Sequence, residues 1–288
     1  MTLAATPATR AWEAERGRLI GIAYRMLGDF GHAEDVVSEV AIEALNAERA
    51  GDDRVRSWPA WLTTVCVRRT IDRVRSLAAA REEYTGHWLP EPVATSRLPE
   101  DAVADRELLS IALLHLAEQL PPDARAAVVL HRAFGMTAVE IGEILERSPA
   151  AVRQLTSRAE RRLQISDDAA GAPPADPVAL ASLMTAIEGG DIDAVLDLLA
   201  DDAILWSDGG GRVRAALNPI FGGEKVRRFF IGVLEKATAD PSQPLGAVLL
   251  DVNGEPAIAL THSGRTDVLM LEFDADGRIR RHPSGLQS

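Results

Sequence analysis

Residues 137–164, TAVEIGEILERSPAAVRQLTSRAERRLQ, constrain this chain more than any other stretch. Thr137 and Glu140 stand at the spacing of a capping box, which satisfies otherwise orphaned N–H groups, so the spacing predicts a helix start here. Ala138, Ile141 and Leu145 recur at helical intervals and give that helix an inner face. Glu146, Arg147 and Ser148 interrupt the pattern. Ser148 suits the cap of a second helix and Pro149 its first position, where a missing N–H costs nothing. On that second helix Val152, Leu155, Ala159 and Leu163 fall on one side. Arg153, Gln154, Ser157, Arg158, Arg161 and Arg162 occupy the others, with Arg147 in the turn. Two helices, a tight turn and a polar second helix read as a helix-turn-helix, a motif that places its second helix in the DNA major groove. Arginine is the side chain best suited to phosphate and to guanine edges. The competing reading is an ordinary helical hairpin with a solvated basic face.

A net charge of −12 argues against a nucleic-acid partner only if the charge is evenly spread, and it is not. Residues 29–53 carry −7, residues 54–81 carry +6 and residues 147–162 carry +4, while the tail from Asp176 carries −7. Two separate basic blocks can hold DNA while the remainder repels it, so binding by the isolated chain is expected to be weak. With 288 residues, two or three domains are expected. Cys66 is the only cysteine, which excludes an internal disulfide and suits a reducing compartment. Neither a membrane-length apolar run nor a signal-peptide pattern is present, so a cytoplasmic location is expected. The histidines are scattered and Cys66 stands alone, so neither a metal nor another cofactor is expected.

Taken in order, residues 1–10 carry no pattern and are expected to be disordered. Helices are predicted over 12–27 and 32–47, the second with an acidic outer surface that includes Glu34, Asp35, Glu39 and Glu43. A third helix is predicted from 59 to about 75. One of its sides carries Ala60, Thr63, Thr64, Val67, Thr70, Ile71 and Val74; Trp61, Arg68, Asp72 and Arg75 lie on another, beside Arg69. An aromatic beside arginines is what single-stranded nucleic acid needs, because bases stack and phosphates pair. Residues 76–105 read as a linker, but one that holds the island YTGHWLPEP (84–92), whose aromatic content a solvated linker does not need. Helices are predicted over 106–119 and 122–134, leading into the helix-turn-helix. A second linker, 166–176, is rich in Ala, Pro and Asp. Beyond it an α+β module is predicted: helices over 178–188, 192–199 and 224–237, and strands over 203–207, 212–217, 246–252, 257–262 and 266–273. Asn253-Gly254 and Asp276-Gly277 supply turns for antiparallel pairing.

Two basic helical modules joined by a linker resemble the bacterial alternative sigma factors of the extracytoplasmic-function (ECF) type. Particular residues carry the likeness. Ala33-Glu34-Asp35-Val36 resembles the start of the family's acidic helix; Trp61-Leu62, Ile71-Asp72 and Arg75 resemble its third helix; Val152, Arg153, Ser157, Arg158 and Ala159 resemble its recognition helix. The YTGHWLPEP island and the Asp208-Gly209-Gly210-Gly211 run resemble marks of the subgroup with a fused C-terminal domain similar to SnoaL and nuclear transport factor 2 (NTF2) folds. Ser38 and Ala41 depart from the family, standing where its glutamine and bulky aromatic usually fall.

The resemblance implies a multi-domain fold: two all-α sigma domains, the second with the helix-turn-helix, then an α+β SnoaL/NTF2-like cone domain. It implies sigma region 2 at 1–75, a linker at 76–105, sigma region 4 at 106–165, a linker at 166–176 and the regulatory domain at 177–288. Glu34, Asp35 and Glu39 would hold the β′ subunit of core RNA polymerase, with the β subunit a further partner. Trp61, Arg68, Arg69, Asp72 and Arg75 would take the melted −10 strand. Arg147, Arg153, Gln154, Ser157, Arg158, Arg161 and Arg162 would read the −35 element. Trp88, Leu89 and Pro90 would meet Asp208, Gly209, Gly210 and Gly211 in a regulatory contact made in cis.

Two other functions compete. One is a helix-turn-helix transcription regulator with a small-molecule-binding C-terminal domain; such proteins usually dimerise on palindromes and leave the strand-melting helix without a task. The other is an enzyme in the C-terminal module, with Asp208, His262 and Asp267 as candidates. No paired carboxylates or His–Asp spacing compels catalysis, so the chain is read as a non-enzyme.

Overall fold

The structure is a computed structural model; it describes residues 6–51, 55–81, 89–99, 111–163, 177–189, 191–208, 218–237, 246–262, 265–270 and 278–279. The chain divides into two compact units, one made of Met1–Glu83 with Thr95–Ser166, the other of Tyr84–Ala94 with Asp167–Ser288.

The first unit is helical. Helix α1 spans Pro7–Leu27, α2 spans Phe30–Ala50 and α3 spans Trp58–Arg81. Helix α1 begins well before the predicted Trp12, within residues expected to be disordered. The reason is local: the Thr6 hydroxyl accepts from the Thr9 N–H at 3.3 Å and Pro7 sits in the first turn. Ala8 is buried, and its N–H donates to Glu48 at 3.1 Å. Asp29 caps α2, accepting from the His32 N–H at 2.7 Å. Gly28 and Gly51 end α1 and α2 in the left-handed conformation that favours glycine. Helix α3 runs past the predicted end at 75 to Arg81, through Ser76, Leu77, three alanines and an arginine, which include no helix breaker.

The buried arc of α3 is wider than predicted. Leu62 and Cys66 are fully buried beside Val67 and Ile71, whereas Ala60 is exposed. Helix α3 packs on α1 and α2 and also on α5 (Pro122–Arg132) and α6 (Ala138–Leu145), so more than one side faces protein. Cys66 donates its S–H to the Leu19 carbonyl at 3.7 Å, and burial pushes its thiol up to about 12, which leaves it inert.

Helices α4 (Ile111–Ala117), α5, α6 and α7 (Pro149–Leu163) complete the unit. Ile22, Met26, Val67 and Ile71 from the N-terminal helices share one apolar cluster with Leu130, Ile141, Ile144 and Val152. A second cluster, with Leu113, Leu120, Val128, Ala159 and Leu163, seats α7 on α4 and α5.

The second unit is α+β. Helix α8 (Pro177–Glu188) and α9 (Ile192–Asp197) lead to the short antiparallel pair β1 (Ile204–Leu205) and β2 (Ile220–Phe221), then α10 (Gly223–Ala237). Strands β3 (Gly246–Val252), β4 (Glu255–His262) and β5 (Arg265–Met270) follow as an antiparallel meander in chain order. Strand β1 is shorter than the predicted 203–207, and β2 was not predicted. The predicted strand 212–217 and the Asp276-Gly277 turn lie outside the described residues. Asn253 and Gly254 turn the β3–β4 hairpin with φ of 54° and 79°, the backbone signature of that dipeptide. Ile258 on β4 is fully buried against Ala179 and Leu183 of α8. Among the described residues no helix is long and apolar enough to cross a membrane, and no His, Cys, Asp and Glu cluster is arranged to hold a metal ion.

Candidate nucleic-acid and polymerase interface

The helix-turn-helix is built as its sequence dictates. Thr137 and Glu140 form a reciprocal capping box: the Glu140 N–H donates to the Thr137 hydroxyl at 3.3 Å, and the Thr137 N–H donates to the Glu140 carboxylate at 2.8 Å. Those bonds hold the Glu140 carboxyl below the usual carboxylate range. Ser148 caps α7 through the Ala151 N–H at 3.2 Å. The turn closes because position 142 is glycine. A Cβ there would lie 2.6 Å from the Arg147 carbonyl oxygen, whose own N–H donates to the Gly142 carbonyl at 2.9 Å.

Helix α7 buries Val152, Thr156, Ala159 and Leu163 in a single stripe. Arg153, Gln154, Ser157, Arg158, Arg161 and Arg162 are all exposed on its other sides. Arg161 Nε donates to the Ser157 carbonyl at 3.2 Å. An exposed face of this kind can pair with phosphate and with base edges.

The surface of α3 that was expected to take single-stranded DNA is different in character. Trp61 packs edge-to-face on Trp58 at 5.6 Å and stays partly exposed. Arg68, Arg69, Asp72 and Arg75 are exposed, but their charges are engaged within the protein. Arg68 Nη2 meets Glu146 at 2.8 Å and Arg68 Nε donates to the Ile144 carbonyl at 3.2 Å. Arg69 pairs with Glu43, and Arg75 bridges Asp72 and Asp123, each at 3.3 Å. Arg147 also pairs with Asp123. The structure thus brings arginines from α3 and from the helix-turn-helix onto shared carboxylates. Asp123 and Glu146 had no signal in the sequence, because neither lies at a local spacing from its arginine.

On the acidic helix α2, Asp35 is exposed, whereas Glu34 pairs with Arg16 at 3.2 Å and Glu39 with Arg73 at 2.9 Å. Ile42 on the same helix is an apolar side chain 61% exposed.

The aromatic island belongs to the second unit, and residues 89–92 of it are among those described. The Leu89 N–H donates to the Asp208 carboxylate at 2.9 Å, and Pro90 is buried. Next, Val93 and Asn253 exchange two bonds: the Val93 N–H donates to the Asn253 side-chain oxygen at 2.8 Å and the Asn253 N–H donates to the Val93 carbonyl at 2.9 Å. Ala94 forms an antiparallel bridge with Val252. Trp88, Gly209, Gly210 and Gly211 lie outside the described residues. Asn253 was read from sequence only as a turn residue; nothing in its spacing points to a partner 160 positions away. Of the enzyme candidates, Asp267 is exposed on β5 and Asp208 is committed to Leu89.

The pattern for Sigma-70 region 2 matches residues 11–80, and that for Sigma-70, region 4 matches residues 110–163. The chain is 38% identical over 230 residues to the ECF RNA polymerase sigma factor SigJ of Mycobacterium tuberculosis, a match spanning 78% of this chain and 72% of SigJ. It is 33% identical over 197 residues to the probable ECF RNA polymerase sigma factor SigI of the same species, spanning 67% of each. The crystal structure of M. tuberculosis SigJ superposes with a TM-score of 0.70 at 32% identity, covering 93% of this chain and 92% of that one. The two helical modules, the exposed arginine face of α7 and these likenesses agree on one assignment, and it separates this chain from the dimeric helix-turn-helix regulators: the chain belongs to the ECF RNA polymerase sigma factors and is an alternative sigma factor acting in transcription initiation.

Proposed function

We propose that the work of promoter recognition is divided among separate surfaces of the chain. Region 2, residues 1–75, holds the β′ subunit of core RNA polymerase through Glu34, Asp35 and Glu39 and takes the melted −10 strand with Trp61, Arg68, Arg69, Asp72 and Arg75. Region 4, residues 106–165, reads the −35 element. Arg153, Gln154, Ser157 and Arg158 approach base edges and phosphates, and Arg147, Arg161 and Arg162 grip backbone; the β subunit is its further partner. Phosphate contacts set position and base contacts set sequence, so these roles separate on mutation. Polymerase carries out the RNA-forming chemistry, and this chain is not an enzyme. The observation that carries the reading is the helix α7, with one buried apolar stripe and every predicted DNA-contacting side chain exposed.

The linkers 76–105 and 166–176 flank region 4, and residues 177–288 form a SnoaL/NTF2-like regulatory domain that acts on the sigma core in cis. Support for that role comes from the linker segment itself: Leu89 bonds Asp208, and Val93 bonds Asn253, so the tether between the two promoter-reading modules is held by the C-terminal unit. The test is run-off transcription with core polymerase. Full-length chain is compared with Arg158→Ala, Asp35→Ala and a truncation after Gln164. Arg158→Ala is expected to reduce promoter-dependent transcripts while retaining polymerase binding, and Asp35→Ala to weaken polymerase binding, with transcripts restored when the polymerase concentration is raised. The truncation is expected to change promoter output in a way that neither point variant does. Equal loss of both functions in each point variant would refute the division of labour.

A further inference from the structure

Two carboxylates sit on guanidinium groups that the proposed function assigns to DNA. Asp123, in the first turn of α5, accepts from Arg75 of α3 through one oxygen at 3.3 Å and from Arg147 of the helix-turn-helix turn through the other. Glu146 meets Arg68 at 2.8 Å. Both pairs that reach α3 join the strand-capture helix to the −35 module.

The backbone at Glu146 is the second observation. Glu146 ends α6 with φ 55° and ψ 44°, and is one of two non-glycine residues with positive φ among those described. A helix end in this conformation favours glycine, because a Cβ crowds the following carbonyl. Such strain points to a role for the side chain. Here the side chain reaches Arg68, across a turn that also presents the Ile144 carbonyl to the same guanidinium. Beneath these pairs, Val67 and Ile71 of α3 share a buried apolar seam with Leu130, Ile141 and Ile144.

A guanidinium fork suits carboxylate and phosphate alike and cannot hold both in one geometry. We propose that Asp123 and Glu146 act as internal stand-ins for DNA phosphate: in the polymerase-free chain they clasp α3 against the helix-turn-helix, and DNA must displace them before the modules part. The clasp rests on the reading of Arg68, Arg75 and Arg147 as DNA contacts. Exposed ion pairs contribute only a few-fold each to an equilibrium, so the apolar seam does most of the closing. The carboxylates decide which groups are occupied while it is closed.

The test uses full-length chain with Ser76→Cys on α3 and Ala150→Cys on α7, both exposed positions, carrying a pair of distance labels. Cys66 is fully buried and does not compete for label. The label distance and the affinity for a short −35 duplex carrying a single-stranded −10 extension are measured with and without Glu146→Gly plus Asp123→Asn. Glycine suits the backbone at 146, so the helix-turn-helix is not weakened by that change. The expected result is a single short distance in the parent. In the variant a second, longer distance gains about three- to tenfold in weight beside it, and DNA affinity rises by no more than the same factor. An unchanged distance overturns the clasp, even if affinity rises, since that gain would reflect only the loss of negative charge. A longer distance without a gain in affinity leaves the clasp standing and refutes the DNA assignment of Arg68, Arg75 and Arg147.

Discussion

Val93 and Asn253 hold each other by two reciprocal hydrogen bonds, 2.8 Å from the Val93 N–H to the Asn253 side chain and 2.9 Å from the Asn253 N–H to the Val93 carbonyl. Val93 is part of the tether between the two sigma modules, and Asn253 is a fully buried turn residue of the β3–β4 hairpin. One side chain therefore does two things: it tolerates the left-handed turn and it completes the docking of the linker.

These two tasks separate on substitution. Asn253→Gly keeps the turn, since glycine adopts φ 54° without strain, and removes the side-chain acceptor of the Val93 N–H. Hydrogen exchange at the Val93 amide is expected to quicken by about fivefold, the worth of one ordinary hydrogen bond. Asn253→Ala should lose the turn as well, lowering the unfolding free energy by a further ~1–2 kcal/mol in urea titration.

Gly142→Ala tests the tight turn. The added Cβ would stand 2.6 Å from the Arg147 backbone oxygen, which is not the end of a flexible side chain and cannot swing away. The expected loss is about 1–3 kcal/mol of stability, read by thermal unfolding. Promoter-dependent transcription should fall with it, because α7 is aimed by this turn.

The capping box makes the helix-turn-helix acid-sensitive. Hydrogen bonds from Thr137 hold the Glu140 carboxyl below its unfolded value of 4.5. A carboxyl with a lowered pKa contributes stability above the unfolded value and loses it as pH falls through the folded one. Thr137→Ala should therefore destabilise the chain at neutral pH, and the difference from the parent should narrow as the pH is lowered below 4.5. Unfolding curves across the acid range check both parts.

Glu255 should behave in the opposite sense. Burial beside the hairpin turn raises its carboxyl from 4.5 to about 7. The folded state then binds the proton more tightly than the unfolded state, so stability declines as pH rises from 4.5 to about 7 and levels off above it. Glu255→Gln is expected to flatten that slope; an unchanged slope in urea unfolding across this window would refute the assignment.

The elements with strong local signals were legible in advance. Thr137, Glu140, Ser148 and Pro149 mark their own helix ends, and the stripe ending at Leu163 follows from a 3.6-residue repeat. Strand β3 was predicted with its observed bounds because Asn253-Gly254 punctuates it. The early start of α1 is not legible, since it depends on one capping threonine and on Ala8 finding Glu48, 40 residues away. The extension of α3 to Arg81 crosses a stretch without a helix breaker, and there the polar composition of the linker does not mark the helix end.

What the sequence determined alone was periodicity, capping and charge segregation: two helical modules, one with an exposed arginine face, and a later α+β module. These are local properties, set by backbone geometry and by the spacing of apolar residues. Only the tertiary structure decided which charges meet. Asp123 with Arg75 and Arg147, Glu146 with Arg68, and Asn253 with Val93 each join positions far apart in the chain. Hydrogen bonds and ion pairs act over a few ångströms of space, and spacing along the chain carries no record of such distances until the apolar seams have closed.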